Sequence, residues 1–276
     1  MRLSVLVPIH NRGDLLAIGL ASLAAQRFTD WELVLIDDQS TEDLRKVYSA
    51  YPINVQHIRF NPKGHPDYRG YHTPALALNL GIRQAKGEVI CITQPEIIHN
   101  AESLQRGYDQ ALQDEFVFGK VMLTTGAFTK WVRSNWSQTP FDACWNKGLA
   151  LGGAPFQDSE LYWYQAFVKR KHAEAIRGVD ESYMQGVYAE DDSFKERLRS
   201  HGVLPALNRA IQGIHIDHSH EGDLYPKQDR RAAFWEKGAA HNRAKFFDWL
   251  KGPRPALANG TDWGDDRYIE SIREQP

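Results

Sequence analysis

The sequence predicts an α/β fold with a mostly parallel central sheet flanked by helices. Three observations carry that prediction: near-continuous apolar runs of strand length, helical periodicity between them, and polar residues wherever a run ends. Leu3 to Pro8 is the first run, apolar enough to be covered on both faces of a sheet. Asp14 then fits a helix N-cap, with Leu16, Leu20 and Leu23 on one helical face. Glu32 to Asp37 is a second buried strand. A helix from about Pro74 to Lys86 reads as stopped by Gly87, and Glu88 to Thr93 follows as a strand. Strand, helix, strand in this order demands parallel pairing with right-handed crossovers. Ligands of such sheets bind beyond the carboxyl ends of the strands, where loops and helix N-termini converge. Here those ends read His10-Asn11-Arg12, Asp37-Asp38-Gln39-Ser40 and Gln94-Pro95-Glu96.

Past Phe116 to Leu123, itself strand-like, the pattern is less regular. A stretch rich in tryptophan runs from Trp131 to Tyr164. Trp131, Trp136, Trp145 and Trp163 could stack on sugar rings or fill the core. From about Gly222 the chain turns charged and aromatic through an expected helix, Arg230 to Leu250, and then a tail containing Pro and Gly. That helix has three open roles: packing on the main domain, touching a membrane surface, or joining a partner.

With 276 residues, 42% of them hydrophobic, the chain can bury a full core. A formal net charge of -2 gives no global pull toward nucleic acid or anionic lipid, so no nucleic-acid partner is expected. Two cysteines, Cys91 and Cys144, are too few for a disulfide scaffold and fit a reducing cytoplasm. Pro8 breaks the first apolar run far short of the roughly 20 residues of a membrane span, so neither signal peptide nor anchor is expected. No GxGxxG follows the first strand and no GxxxxGK[ST] occurs, which excludes a dinucleotide fingerprint and a P-loop.

Four groups of residues could carry chemistry. Asp37 and Asp38 close a buried strand, and either bind a nucleoside or cap a turn. Glu96 follows a strand end beside Pro95, as a ligand-binding acid or a surface-turn residue. Glu190, Asp191 and Asp192 precede a helical pattern; helix capping explains one or two of them, and three consecutive acids exceed what capping needs. His215, His218 and His220 crowd six residues, where strand alternation puts His218 and His220 on one face. They are either structural or ligands for a first-row divalent ion.

Taken in order, these stretches resemble the family 2 glycosyltransferases. Ser4 to Arg12 is similar to their opening strand and loop, and Leu35-Ile36-Asp37-Asp38-Gln39-Ser40 to their nucleoside-binding strand end. Asn79-Leu80-Gly81-Ile82 with Ala85 to Ile90 resembles the helix and strand that lead into their DxD site. Gly178 to Tyr183 and Ala189-Glu190-Asp191-Asp192 resemble acceptor-side segments, similar also to beta-galactosyltransferases of the family 7 type.

The resemblance implies a GT-A fold, in which a Rossmann-like nucleotide half (1–115) joins an acceptor half (116–225), here followed by a C-terminal helical extension (226–276). It implies a nucleotide-sugar donor, UDP-linked, and inverting transfer to a hydroxyl of a glycan or glycoconjugate, as in polysaccharide biosynthesis. By position, Asp191 becomes the catalytic base and Glu190 an acceptor-orienting acid. Pro8, Ile9, His10, Arg12, Asp37, Asp38, Asn79 and Gln94 become donor-binding. Glu96 and His218 become ligands of Mn²⁺ or Mg²⁺, with Asp192, His215 and His220 as secondary candidates. One departure stands out: Gln94 replaces the first DxD acid, and an amide is a poor ligand for a hard cation. Two other readings share these features, a sugar nucleotidyltransferase and a non-catalytic module that binds nucleotide sugars or glycans.

Overall fold

A computed structural model describes residues 1–136, 139–158, 162–218 and 230–275. The chain opens with β1 (Leu3–Ile9), α1 (Gly13–Ala24), β2 (Trp31–Asp38), the single turn α2 (Arg45–Tyr48), β3 (Val55–Phe60), α3 (Pro74–Gln84) and β4 (Val89–Ile92). It continues through β5 (Ile97–His99), α4 (Ser103–Asp114), β6 (Phe116–Leu123), α5 (Gly126–Asn135), α6 (Phe141–Ala150), β7 (Ala154–Pro155), β8 (Ala166–Lys169) and α7 (Arg170–Ala175). A 3₁₀ turn (Glu181–Gln185) precedes α8 (Glu190–Ser200), β9 (Ala206–His215), α9 (Arg230–Lys251) and β10 (Ile269–Gln275).

One sheet organises these elements, in the order β10-β3-β2-β1-β4-β8-β6-β9-β5, with β7 paired to β6. The first four strands are parallel, β1 lying between β2 and β4. Beyond β4 the sheet is mixed: β8 is antiparallel to both β4 and β6, whereas β9 runs parallel to β6. Between β1 and β4 the strand order reverses direction, and a crevice opens at their carboxyl ends.

The continuous apolar runs follow from burial on both faces. Leu6, Val34, Ile36, Ile90 and Ile92 point to the core under α3, while Val5, Val7, Leu33, Leu35, Val89 and Cys91 point to the core under α1 and α4. Fully burying each such side chain contributes about 1.5–3 kcal/mol. Trp131, Trp136 and Trp145 pack, partly buried, against a third cluster around Phe128 and Val132.

Three sequence expectations change. Asp14 is not the N-cap of α1: Arg12 occupies that position, and Asp14 lies in the first turn, paired with Arg133 at 2.5 Å. The acid that serves the helix start is Glu42, whose Oε2 accepts from the Gly13 N–H at 2.8 Å. Gly87 does not stop α3, which ends at Gln84. Instead its N–H donates to Ser4 Oγ, and a Cβ there would stand 2.6 Å from the Ser4 nitrogen, so β1 could not approach any larger residue. The C-terminal extension is not only helical, because β10 returns to pair antiparallel with β3 and covers that edge of the sheet. The expected boundary near 225 lies outside the described residues. Among the described residues no helix is long and apolar enough to cross a membrane.

Candidate active site

At the end of β1, Asn11 and Arg12 both adopt the left-handed conformation (φ 57° and 71°), which turns the chain sharply into α1. The turn is tied to the end of β2: Asn11 N–H donates to Ser40 Oγ, and Thr41 N–H donates to Asn11 Oδ1. The two acids of β2 separate. Asp37, 1% exposed, accepts from Ser40 N–H at 2.7 Å and from the Arg59 guanidinium at 3.0 Å, so it clamps the turn. Burial pushes its pKa up, but His57 and Ser40 outweigh that and hold it below the usual range. Asp38 faces the crevice. Its Oδ2 meets His72 Nδ1 at 2.7 Å, its carbonyl oxygen meets His10 Nδ1 at 2.5 Å, and the two imidazoles stack with centroids 3.7 Å apart. Burial, with His72 alongside, lowers the His10 pKa and favours neutral imidazole.

Glu96 is completely buried. Its Oε1 accepts from Arg12 at 2.6 Å and lies 3.0 Å from His218 Nε2 and 3.6 Å from His215 Nε2. Burial alone would raise its pKa; the Arg12 charge and the two histidines override burial and hold it well below the ordinary range. The cluster forms because β9 ends at His215, its last residue paired to Ile97, after which the chain turns and brings His218 back beside its neighbour. Strand alternation therefore does not extend to His218, and His215 belongs beside it. His220 lies outside the described residues. Ligand atoms of Glu96, His215 and His218 all fall within 4.8 Å of one another. Glu96 Oε2 is buried without a partner among the described residues, so this trio fits a divalent ion: one carboxylate oxygen free for it and two imidazoles able to donate when neutral.

On the opposite side, Tyr188 and Ala189 form a second left-handed pair (φ 69° each), which delivers Glu190 and Asp191 at the N-terminus of α8. Burial raises both carboxyl pKa values, and each acid's nearest acidic neighbour adds to the rise, Asp191 for Glu190 and Asp192 for Asp191. Asp191 Oδ1 accepts from the Asp192 N–H at 2.8 Å, and Glu190 Oε2 is buried with no partner among the described residues. Asp192 pairs with Lys195 at 2.8 Å instead of entering the crevice. Asn79, fully buried, joins α3 to residues 179–181, which lead into the 3₁₀ turn: its Nδ2 donates to Val179 O and Glu181 Oε1, and its Oδ1 accepts from Val179 N–H.

These pieces line one cavity of about 560 Å³, which Pro8, Ile9, His10, Arg12, Asp38, Gln94, Glu96, Glu190, Asp191, His215 and His218 all reach. Asp37, Asn79 and Asp192 do not line it: the first two spend polar atoms on the scaffold and the third on Lys195.

Residues 4–168 match the family described as glycosyl transferase family 2. The chain belongs to that family. The chain is 29% identical over 113 residues to glycosyltransferase GlyG of Streptococcus pneumoniae, a match covering 41% of this chain and 36% of GlyG. Its fold is that of the GT-A enzymes. Mannosyltransferase PcManGT of Pyrobaculum calidifontis, in complex with GDP-Man and Mn²⁺, superposes with a TM-score of 0.57 at 18% identity, covering 91% of this chain and 64% of that one. TarS 1-349 of S. aureus, in complex with UDP-GlcNAc, gives 0.54 at 15%, with 91% and 72% covered.

Several residues that line the cavity carry no motif. His72 stands just before Thr73 and Pro74, the N-cap and first residue of α3, and that position at a helix start beside the strand ends was its available signal. Tyr162, Trp163 and Tyr164 enter from the approach to β8, and Tyr188 from the turn before α8. Burial, then Glu96 and Asp191, raises the Tyr164 pKa, and its ring lies 4.7 Å from that of His215 in the cavity.

Proposed function

We propose that the chain is an inverting glycosyltransferase that moves a sugar from a UDP-sugar to a hydroxyl of a glycan or glycoconjugate. The observation that carries this reading is the single cavity shared by the Glu96–His215–His218 trio and the Glu190–Asp191 pair. Donor binding falls to the β1 and β2 ends: His10, with His72 stacked on it, offers a flat surface for the base, Asp38 an acceptor for base or ribose, and Gln94 an amide for the sugar or ribose. UDP as the nucleotide is supported by the TarS complex with UDP-GlcNAc, and Mn²⁺ by the PcManGT complex.

Glu96, His215 and His218 would hold Mn²⁺ or Mg²⁺. That ion supplies positive charge where the departing diphosphate gains negative charge, which favours the transition state over the ground state. Arg12, lining the same cavity, adds a fixed cation there. From the other wall Asp191 accepts the proton of the attacking hydroxyl. Its raised pKa makes it a better base while leaving it ionised near neutrality. Glu190, raised further, keeps its proton and donates a hydrogen bond that orients the acceptor. Tyr162, Tyr164 and Tyr188 give that side an aromatic rim suited to sugar rings.

The test is release of UDP from UDP-glucose and UDP-GlcNAc with Mn²⁺, alone and with oligosaccharide acceptors. Slow hydrolysis to UDP and free sugar is expected without an acceptor, and faster UDP release with formation of an inverted glycoside when an acceptor is present. Pyrophosphate chemistry, or binding without turnover, would overturn the reading.

A further inference from the structure

We infer that α9 is part of the catalytic unit, holding through Asn242 the turn from which Glu190 and Asp191 enter the cavity; the inference rests on the assignment of Asp191 as base. The helix lies beyond the residues that match the family, 4–168. Tyr188 and Ala189 both carry side chains in the left-handed region, a conformation that persists only when the surroundings over-determine it. Those surroundings are supplied by α9. Asn242 is 0% exposed, and its Nδ2 donates to the carbonyl oxygens of Tyr183 at 2.9 Å and Tyr188 at 3.1 Å, bracketing the segment that leads into the turn.

Between those two carbonyls the backbones meet at Gly186, where a Cβ would overlap the Gly238 carbonyl oxygen and stand 2.8 Å from Asn242 Oδ1. Gly238 in turn lies against the Tyr71 ring, its Cβ position 2.7 Å from Tyr71 Cζ. Tyr71, Val187 and Ala239 close a small apolar cluster of their own. Side chains of α9 continue the grip, with Arg243 5.2 Å from the centroid of the Tyr188 ring and Lys245 4.8 Å from that of Tyr183. Tyr71 adjoins His72, so the helix rests on the donor wall and the acceptor wall together.

Asn242 touches no substrate; it is a positioning residue. Without its amide the Tyr188 carbonyl loses this donor and the Tyr183 carbonyl keeps the Gly186 N–H, the turn relaxes, and a displacement of about 1 Å at Asp191 is enough to lower turnover on the order of 100-fold.

The experiment compares Asn242→Ala, Asn242→Ser (which keeps one donor), Asp191→Asn and Lys237→Ala, an exposed position on α9. Hydrogen exchange and Mn²⁺-dependent UDP release from UDP-GlcNAc are followed together. In Asn242→Ala, faster exchange confined to residues 184–193 is expected, with kcat down roughly 10–100-fold, UDP affinity unchanged, and the acid limb of the rate profile moved to lower pH as the carboxyl pair gains solvent. Asn242→Ser should recover part of each, and Lys237→Ala should match the parent. Unchanged exchange at 184–193 would overturn the inference, as would UDP affinity falling in step with kcat. With Asp191→Asn inactive, full turnover in Asn242→Ala sinks the inference alone. Normal turnover in Asp191→Asn sinks the base assignment and the inference with it.

Discussion

Two walls of one cavity treat their carboxylates in opposite ways, a fully buried one on the first and a partly exposed pair on the second. On the first wall Glu96 is completely buried, yet Arg12, His215 and His218 hold its pKa well below the ordinary range. On the opposite wall Glu190 is raised by burial and by Asp191, and Asp191 by burial and by Asp192, with Lys195, spent on Asp192, offsetting only part of the rise. Burial acts in the same sense on both walls, so the difference lies in the neighbours. A carboxylate that stays charged suits a cation and a diphosphate, whereas a pair that resists charging suits proton transfer.

Breaking the acceptor wall should have the largest effect. Asp191→Asn should lower turnover by about 10²–10⁴-fold while donor binding, measured by UDP titration with Mn²⁺, stays intact; near-normal turnover would remove the base from the comparison. Next, Glu96→Ala should abolish the Mn²⁺ dependence of UDP affinity, because it removes the central ligand and leaves Arg12 beside two histidines. His215→Ala and His218→Ala should each weaken that dependence less. Equal UDP affinity with Mn²⁺ and with chelator in the parent protein would show that the trio holds no ion for the donor.

Smaller effects sharpen the contrast through pH. Because the Asp191 pKa is raised, the acid limb of the transfer rate should lie above the ordinary carboxylate value of about 4. A limb at 4 would mean that a different group acts as base. The same shift makes the folded protein bind more protons than the unfolded chain between about 4 and the raised values, so the pair's contribution to stability falls as pH rises through that window. Glu190→Gln should therefore raise the melting temperature at pH 7 and have little effect at pH 4. Glu96 has the opposite sign: its contribution is present above the unfolded pKa and is lost as pH falls through the depressed folded value. Trp131→Phe, on α5 where it packs against the cluster around Phe128, should leave donor binding unchanged.

Much of this was legible in the chain because it is written locally. Runs such as Leu3–Ile9 and Val89–Ile92 announce strands by composition, and a strand order that forces crossovers places His10, Arg12, Asp38 and Glu96 at one end of the sheet. Residue type and spacing cannot say which way a side chain turns once its neighbours are fixed. Asp37 and Asp38 look equivalent in sequence, and period-two geometry sends one to a turn clamp and the other to the cavity. Asn79 sits in a family-like motif but is consumed by Val179 and Glu181, about a hundred residues away in the chain.

By itself, then, the sequence determined the α/β sheet, the strand ends that carry chemistry and the acids at the start of α8, since each depends on burial and hydrogen bonding among near neighbours. Only the tertiary structure decided that His215 joins His218 on Glu96, that Tyr188 and Ala189 turn Glu190 and Asp191 inward, and that α9 packs against that turn. Those outcomes depend on where a strand ends, on left-handed backbone held by outside contacts, and on close approaches between segments far apart in the chain. No local pattern encodes them.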